Sequence, residues 1–203
     1  FLAGYSAAYE GYESLAFVGF ENNLQSIKYC YGFLQGVDYA ADELDKSEIK
    51  ISISYTKAES SSDVSDNLYK SGTELIVACG NTIIENVTKS AEKNKKYLIA
   101  CGDNHPQETD CLIANSTKNI YYAVNDCVSN FYNNEKIAGN TQIYSATENA
   151  IALNYKSSNF KHFDSKIYDS VYLKLSYNEI QLISDTTISP EDLELPHIKI
   201  TKS

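Results

Sequence analysis

Residues 74–103, ELIVACGNTIIENVTKSAEKNKKYLIACGD, decide the fold. ELIVACG (74–80) and YLIACGD (97–103) are short apolar runs without polar alternation. A strand that is apolar on both sides is buried on both sides, and such strands belong to parallel sheets covered by helices. The segment between them, 82–95, has a polar face at helical spacing and is long enough for one crossover. The stretch therefore predicts a β-α-β unit.

The same alternation continues on either side. SLAFVGF (14–20) and the strictly alternating IKISISY (49–55) read as strands. Between them, 24–44 places Ile27, Tyr31, Leu34, Val37 and Ala41 at helical spacing. Residues 1–12 read as a helix, and SDVSDNLYKSG (62–72) as a helix with Gly72 just past its end. Downstream, CLIAN (111–115) predicts a strand, 117–133 a helix, TQIYSA (141–146) a strand and 164–177 a helix. The tail, 178–203, holds two strand-like runs, QLIS and IKI, around Pro190 and Pro196. Four β-α steps in a row predict an α/β fold, a parallel sheet with helices on both faces. Ligands in such sheets bind at the carboxyl ends of the strands. The loops after Phe20, Tyr55, Gly80 and Gly102 are therefore the places to look.

Composition excludes several classes. The 203 residues are 43% hydrophobic and 22% charged, a globular profile. The formal net charge is −10, and all 17 basic residues are Lys. A nucleic-acid binder needs a basic face, usually with Arg, so that class is set aside. No apolar run is long enough to span a membrane. The five cysteines, 30, 79, 101, 111 and 127, follow no zinc or redox spacing. Cys79 and Cys101, each ending an apolar run, read as small buried hydrophobes, with a disulfide or metal site as the alternative; the reading carries no metal or cofactor. The chain opens on Phe1 in a helix already under way, which suggests a fragment.

Each loop offers specific groups. Asn22 or Asn23 can cap the helix that follows, and its amide can also face a ligand. Gly80 permits a tight turn, and Asn81 or Thr82 can cap the next helix while its free N–H groups point outward toward a polar or anionic group. No G-x-G-x-x-G or P-loop pattern occurs. Asp103, at a strand's carboxyl end, can accept hydrogen bonds from ligand hydroxyls or amines, or act as an ordinary turn acid. Lys118 would open the helix after CLIAN, where a cation opposes the helix dipole. Cys101, His105 and Asp103 can be grouped as a nucleophile cluster, but no oxyanion feature accompanies them.

The order of motifs resembles the basic membrane protein family of ABC-transporter substrate-binding lipoproteins, several of which bind purine nucleosides. The matching stretches are FLAGYSAAYEGY (1–12), LAFVGF (15–20), YGFLQGVDYAADEL (31–44), YKSGTELIVACGN (69–81), KKYLIACGDN (95–104) and the helix from Lys118. SSNFKHF (157–163) and DTTIS (185–189) also look like members of the family.

The resemblance implies a type I periplasmic-binding-protein fold, in which two α/β lobes close on a ligand. Residues 1–110 would form the second lobe, 111–140 the segment crossing the hinge, and 141–203 the strand, helix and tail completing the fold. Most of the first lobe, and a lipid anchor at the extracellular face of the membrane, would lie upstream. The implied function is non-enzymatic: the solute-binding component of an ABC importer, delivering a nucleoside or similar small polar ligand to a permease. The alternative is a ligand-sensing or protein-interaction module of the same fold with a degenerate pocket. The implied ligand contacts are Asn22, Gly80, Asn81, Thr82, Gly102, Asp103 and Lys118. Two positions depart from the family pattern. Val77 stands where members often carry an aromatic, and Gly102 where they carry an acid, Asp103 coming one step late.

Overall fold

The computed structural model describes residues 1–102, 109–135, 139–154, 160–185 and 187–202. The elements are α1 (Leu2–Tyr9), β1 (Ser14–Phe20), α2 (Leu24–Glu43), β2 (Ile49–Thr56), α3 (Ser61–Lys70), β3 (Leu75–Cys79), α4 (Asn81–Asn94), β4 (Tyr97–Cys101), β5 (Leu112–Lys118), α5 (Ile120–Tyr132), β6 (Ile151–Asn154), α6 (Ser165–Ser176) and β7 (Ile198–Lys202). They build one seven-stranded sheet, ordered β6-β5-β4-β3-β1-β2-β7. All neighbouring strands run parallel except β5 and β6.

Strand periodicity sorts the side chains into two cores. Leu15, Phe17, Ile51, Ile53, Leu75, Val77 and Ile99 point toward α1, α2 and α6. Ala16, Val18, Ile76, Ala78, Leu98 and Ala100 point the other way, onto Leu68 and Tyr69 of α3 and Ile83, Ile84 and Val87 of α4. These strand residues are 0–1% exposed, so β1, β3 and β4 are buried on both faces as their sequences require.

α1 and α2 cross at backbone contact. A Cβ on Gly4 would fall 2.0 Å from the Phe33 carbonyl oxygen, and one on Gly36 would fall 2.1 Å from that of Phe1. These glycines belong to FLAGY and YGFLQG. Their job is to carry no side chain.

Carboxylates tie the outer elements down. Glu10, just past α1, accepts the backbone N–H groups of Lys161, His162 and Phe163 at 2.8–3.1 Å. This seats Phe163 edge-on against Tyr5, Tyr9 and Tyr168, which docks α6 on α1. Asp66 of α3 accepts hydrogen bonds from Lys93, Ser90 and Asn94 of α4. The Lys93 ammonium, with Ser90 beside it, holds the Asp66 carboxyl down to about 2.

Two of the expected strands do not form. In TQIYSA (141–146), Glu148 accepts both the N–H and the hydroxyl of Ser145, closing a turn. Tyr144 instead donates to Asp126 of α5. The strand is Ile151–Asn154, which pairs antiparallel with β5. In QLIS (181–184), the Gln35 side chain takes both backbone groups of Ile183, at 3.0 and 2.7 Å. A side-chain amide thus replaces a strand partner. IKI does form β7, on the edge of β2.

The packing can be tested at two glycines and one acid. Gly36→Ala drives a methyl into backbone and lowers unfolding free energy by about 3 kcal/mol in chemical denaturation. Gly11→Ala meets open space and costs only about 1 kcal/mol, through its left-handed backbone. Because its native carboxyl lies below the ordinary Asp value, Asp66 stabilises the fold above about pH 4. That contribution, about 2 kcal/mol, is lost as pH falls toward 2. Asp66→Asn should remove this part of the acid dependence from a pH series of melting temperatures.

Candidate functional site

Chain order and sheet order diverge inside the sheet between β2 and β3, and again where β6 and β7 take opposite edges. From β1 the chain runs to β2 on one side, then crosses to β3 on the other. The carboxyl ends of β1 and β3 therefore form a switch point, the expected ligand position in open α/β sheets.

On the β1 side, Asn23 is the helix cap, its Oδ1 accepting Ser26 N–H at 3.0 Å. Asn22 is therefore not the cap; it is exposed, at a φ of 52°. Ser26 Oγ accepts the Phe20 N–H at 3.0 Å and pins the end of β1. Across the loops Glu21 pairs with Lys57 at 3.8 Å.

On the β3 side neither Asn81 nor Thr82 caps α4. The N-cap is Gly80, with φ of 102°, and no side-chain oxygen closes the helix start. The N-cap thus offers no side-chain acceptor to the first N–H groups of α4, and a helix start of this kind favours an anionic or polar group. Asn81 and Thr82 are exposed. Asn81 Oδ1 lies 3.2 Å from where a Cβ on Gly102 would sit, so the loops after β3 and β4 touch.

The sequence placed Lys118 in the first turn of a helix. It is instead the last residue of β5, held by pairing with Ile151, and Asn119 caps α5 by accepting Tyr122 N–H at 3.0 Å. The dipole argument does not apply to it there. Its ammonium stands 5.7 Å from the centre of the Tyr29 ring of α2. Asp103 and His105 lie outside the described residues. The structure thus gathers Asn22, Gly80, Asn81, Thr82 and Gly102 along adjacent strand ends, with Lys118 at the end of β5.

Beneath this edge lie thiols. Cys79 and Cys101 are partners across β3 and β4, at 3% and 2% exposure. Burial pushes the Cys101 thiol up to about 12, which makes it a poor nucleophile. Burial does the same to Cys30. Among the described residues no group of three or more His, Cys, Asp or Glu side chains could hold a metal ion.

Phe20 and Tyr29 are the residues at this edge that sequence reasoning did not single out. The signal for Phe20 was its place as the last apolar residue before a polar loop.

The mostly parallel sheet, covered by helices on both faces, defines the class, a type I periplasmic-binding-protein-like fold. Solved structures agree in fold. An ABC-transporter solute-binding protein from Conexibacter woesei superposes with TM-score 0.72 at 14% identity, over 90% of this chain and 61% of that one. A second, from Aeropyrum pernix, gives 0.69 at 12% identity, over 91% and 63%. A sugar transporter from Clostridium phytofermentans gives 0.51 at 14% identity, over 75% and 58%. The chain therefore spans about three-fifths of the length of these proteins. No curated protein matches it significantly.

A family model matches residues 1–186, and the chain belongs to that family: Bmp, described as ABC transporter substrate-binding protein PnrA-like.

One prediction concerns the thiols. Cys127 is the one cysteine that is not buried. A disulfide reagent at pH 8 should modify about one thiol per native chain and all five after denaturation. Cys127→Ser should remove the fast reaction.

Proposed function

We propose that this chain is the second lobe, with hinge segment and C-terminal part, of a two-lobed solute receptor for an ABC importer. In this reading 1–110 form the lobe, 111–140 cross the hinge, and 141–203 complete the fold. The ligand is a nucleoside or a similar small polar molecule, held at the β1–β3 crevice by Asn22, Gly80, Asn81, Thr82, Gly102, Asp103 and Lys118. The receptor is non-enzymatic. It is tethered by lipid at the extracellular face and hands its ligand to a permease.

The observation that carries this is α5. None of its thirteen residues is buried. Ile120, Val124 and Val128 succeed each other at helical spacing at 55%, 57% and 48% exposure, with Tyr121 and Phe131 at 81% and 71%. A helix this apolar is stable only against a covering surface. The chain covers 61–63% of its structural neighbours, and in this reading the remainder holds the first lobe. α5 also comes directly after β5, at the same edge as the crevice, so a lobe seated on it would overhang the ligand.

Native mass spectrometry tests the reading. The product of the complete gene, given a nucleoside panel, should gain the mass of one nucleoside; the 203-residue chain should not. No bound solute on either would remove the receptor reading in favour of a protein-interaction module. A second expectation concerns the helix. Tyr121→Ser with Phe131→Ser should reduce self-association of the 203-residue chain in sedimentation, while loosening the complete protein.

A further inference from the structure

The amino-terminal edge of the sheet, opposite the switch point, carries an open groove of about 740 Å³. Its lining follows the sheet. Tyr12 precedes β1, Glu74 precedes β3, Tyr97 opens β4 and Asp110 precedes β5, and these strands are neighbours in the order β1-β3-β4-β5. Ring and acid therefore alternate along the edge. Neighbouring strands stand about 4.8 Å apart, so the strand starts that bear the two acids are about 10 Å apart, with that of Tyr97 between them. Tyr97 is 36% exposed, and its ring centroid lies 5.9 Å from that of Tyr12, the two planes tilted by 52°. Glu10 and Phe160 complete the wall.

Two of the three acids are oriented by neutral donors. Glu10 accepts the N–H groups of Lys161, His162 and Phe163. Glu74 accepts those of Glu13 and Ser14 on Oε2, at 3.0 Å, while its Oε1 takes no hydrogen bond among the described residues. Backbone amides fix a carboxylate in place without cancelling its charge, so these anions are preorganised. Burial pushes the Tyr12 phenol well above its ordinary value, with Tyr97, Glu10 and Glu74 adding to the rise. The field of both acids thus reaches the rings. Against three carboxylates the described lining sets one ammonium, Lys161, with His162 exposed beside it. Among the described residues no acidic group closes tightly enough to hold a metal ion, so the negative charge is spread along the groove.

We infer that this groove is a second ligand site, for an aliphatic diamine or polyamine. Ammonium groups sit at Glu74 and Asp110, and the methylene stem between them lies along the faces of Tyr97 and Tyr12. Aromatic faces attract ammonium ions, and an amine's stem buries apolar surface while its ends stay polar. Three carboxylates against one ammonium leave two charges, which a diamine neutralises and a monoamine does not. The site lies at the opposite end of the sheet from the proposed solute crevice and does not depend on the receptor reading.

Calorimetry on the full 203-residue chain at physiological ionic strength tests it, with cadaverine as the probe and pentylamine as its one-charged control. One cadaverine should bind saturably, and pentylamine at least about tenfold more weakly. Tyr97→Ser should weaken cadaverine by about fivefold, while Tyr97→Phe, which keeps the ring, stays within about twofold. Asp110→Asn should weaken it by about fivefold as well. Melting temperatures matched to wild type separate lost recognition from lost fold. Equal binding of the two amines, or no saturable binding, overturns the inference. So does the uptake of several cadaverines with no response to Tyr97→Ser, which is diffuse attraction to a chain of charge −10. None of these failures touches the receptor reading, which concerns the other edge.

Discussion

The fold depends on one close approach. α1 and α2 meet at Gly4 and Gly36 with backbone against backbone. That contact brings α1 down onto the sheet, where Leu2, Ala3, Tyr5, Ala7 and Ala8 are all buried. α1 shows little amphipathic pattern because almost none of it faces water. Its packed position then fixes segments far along the chain. Glu10 at its end receives the chain at 161–163, Phe163 closes on Tyr5 and Tyr9, and Tyr5 donates to Glu43 at the far end of α2 at 2.6 Å. The C-terminal third of the chain is thus hung on a helix pair formed at its beginning.

The acid surplus acts inside this architecture as well as on the surface. A carboxylate can accept several hydrogen bonds at once, and charge strengthens each. Glu10 gathers three backbone donors. Glu74 gathers the N–H groups of Glu13 and Ser14 at 3.0 Å, and Asp38 takes that of His197 at 2.8 Å. Each joins segments distant in sequence, two of them at the start of paired strands. A chain with a formal charge of −10 and no Arg therefore stitches its loops through acceptors, using backbone amides as donors.

Much of the sheet was legible in the sequence. β1, β3 and β4 are continuous apolar runs because both faces are covered, and β2 alternates because it lies toward the edge. The features that escaped depended on partners distant in sequence. TQIYSA has strand composition, but Glu148 and Asp126 claim its polar groups. QLIS has strand composition, but Gln35 occupies the place of a neighbouring strand. The loops after Phe20 and Gly80 leave the carboxyl ends of β1 and β3, as the strand readings implied. The cap of α2 was read as Asn22 or Asn23 and is Asn23, while that of α4 escaped because a glycine N-cap leaves no side chain to read. Lys118 moved from helix to strand because pairing with β6, itself unseen, extends β5. The family resemblance, carried by FLAGY, YGFLQG and the Gly80 turn, agrees with the matched span of 1–186.

These glycine motifs answer different demands. Gly4 and Gly36 are there for packing, and a methyl at either strikes backbone. Gly80 is there for the turn after β3: a positive φ, a helix start and room for Phe20 coincide at one Cα. A mutation at the first pair meets backbone, while one at the third meets a side chain and a strained φ. Motif similarity alone cannot separate these roles. The close approaches can, because they show whether the absent side chain would have met fixed backbone or the ring of a neighbouring side chain.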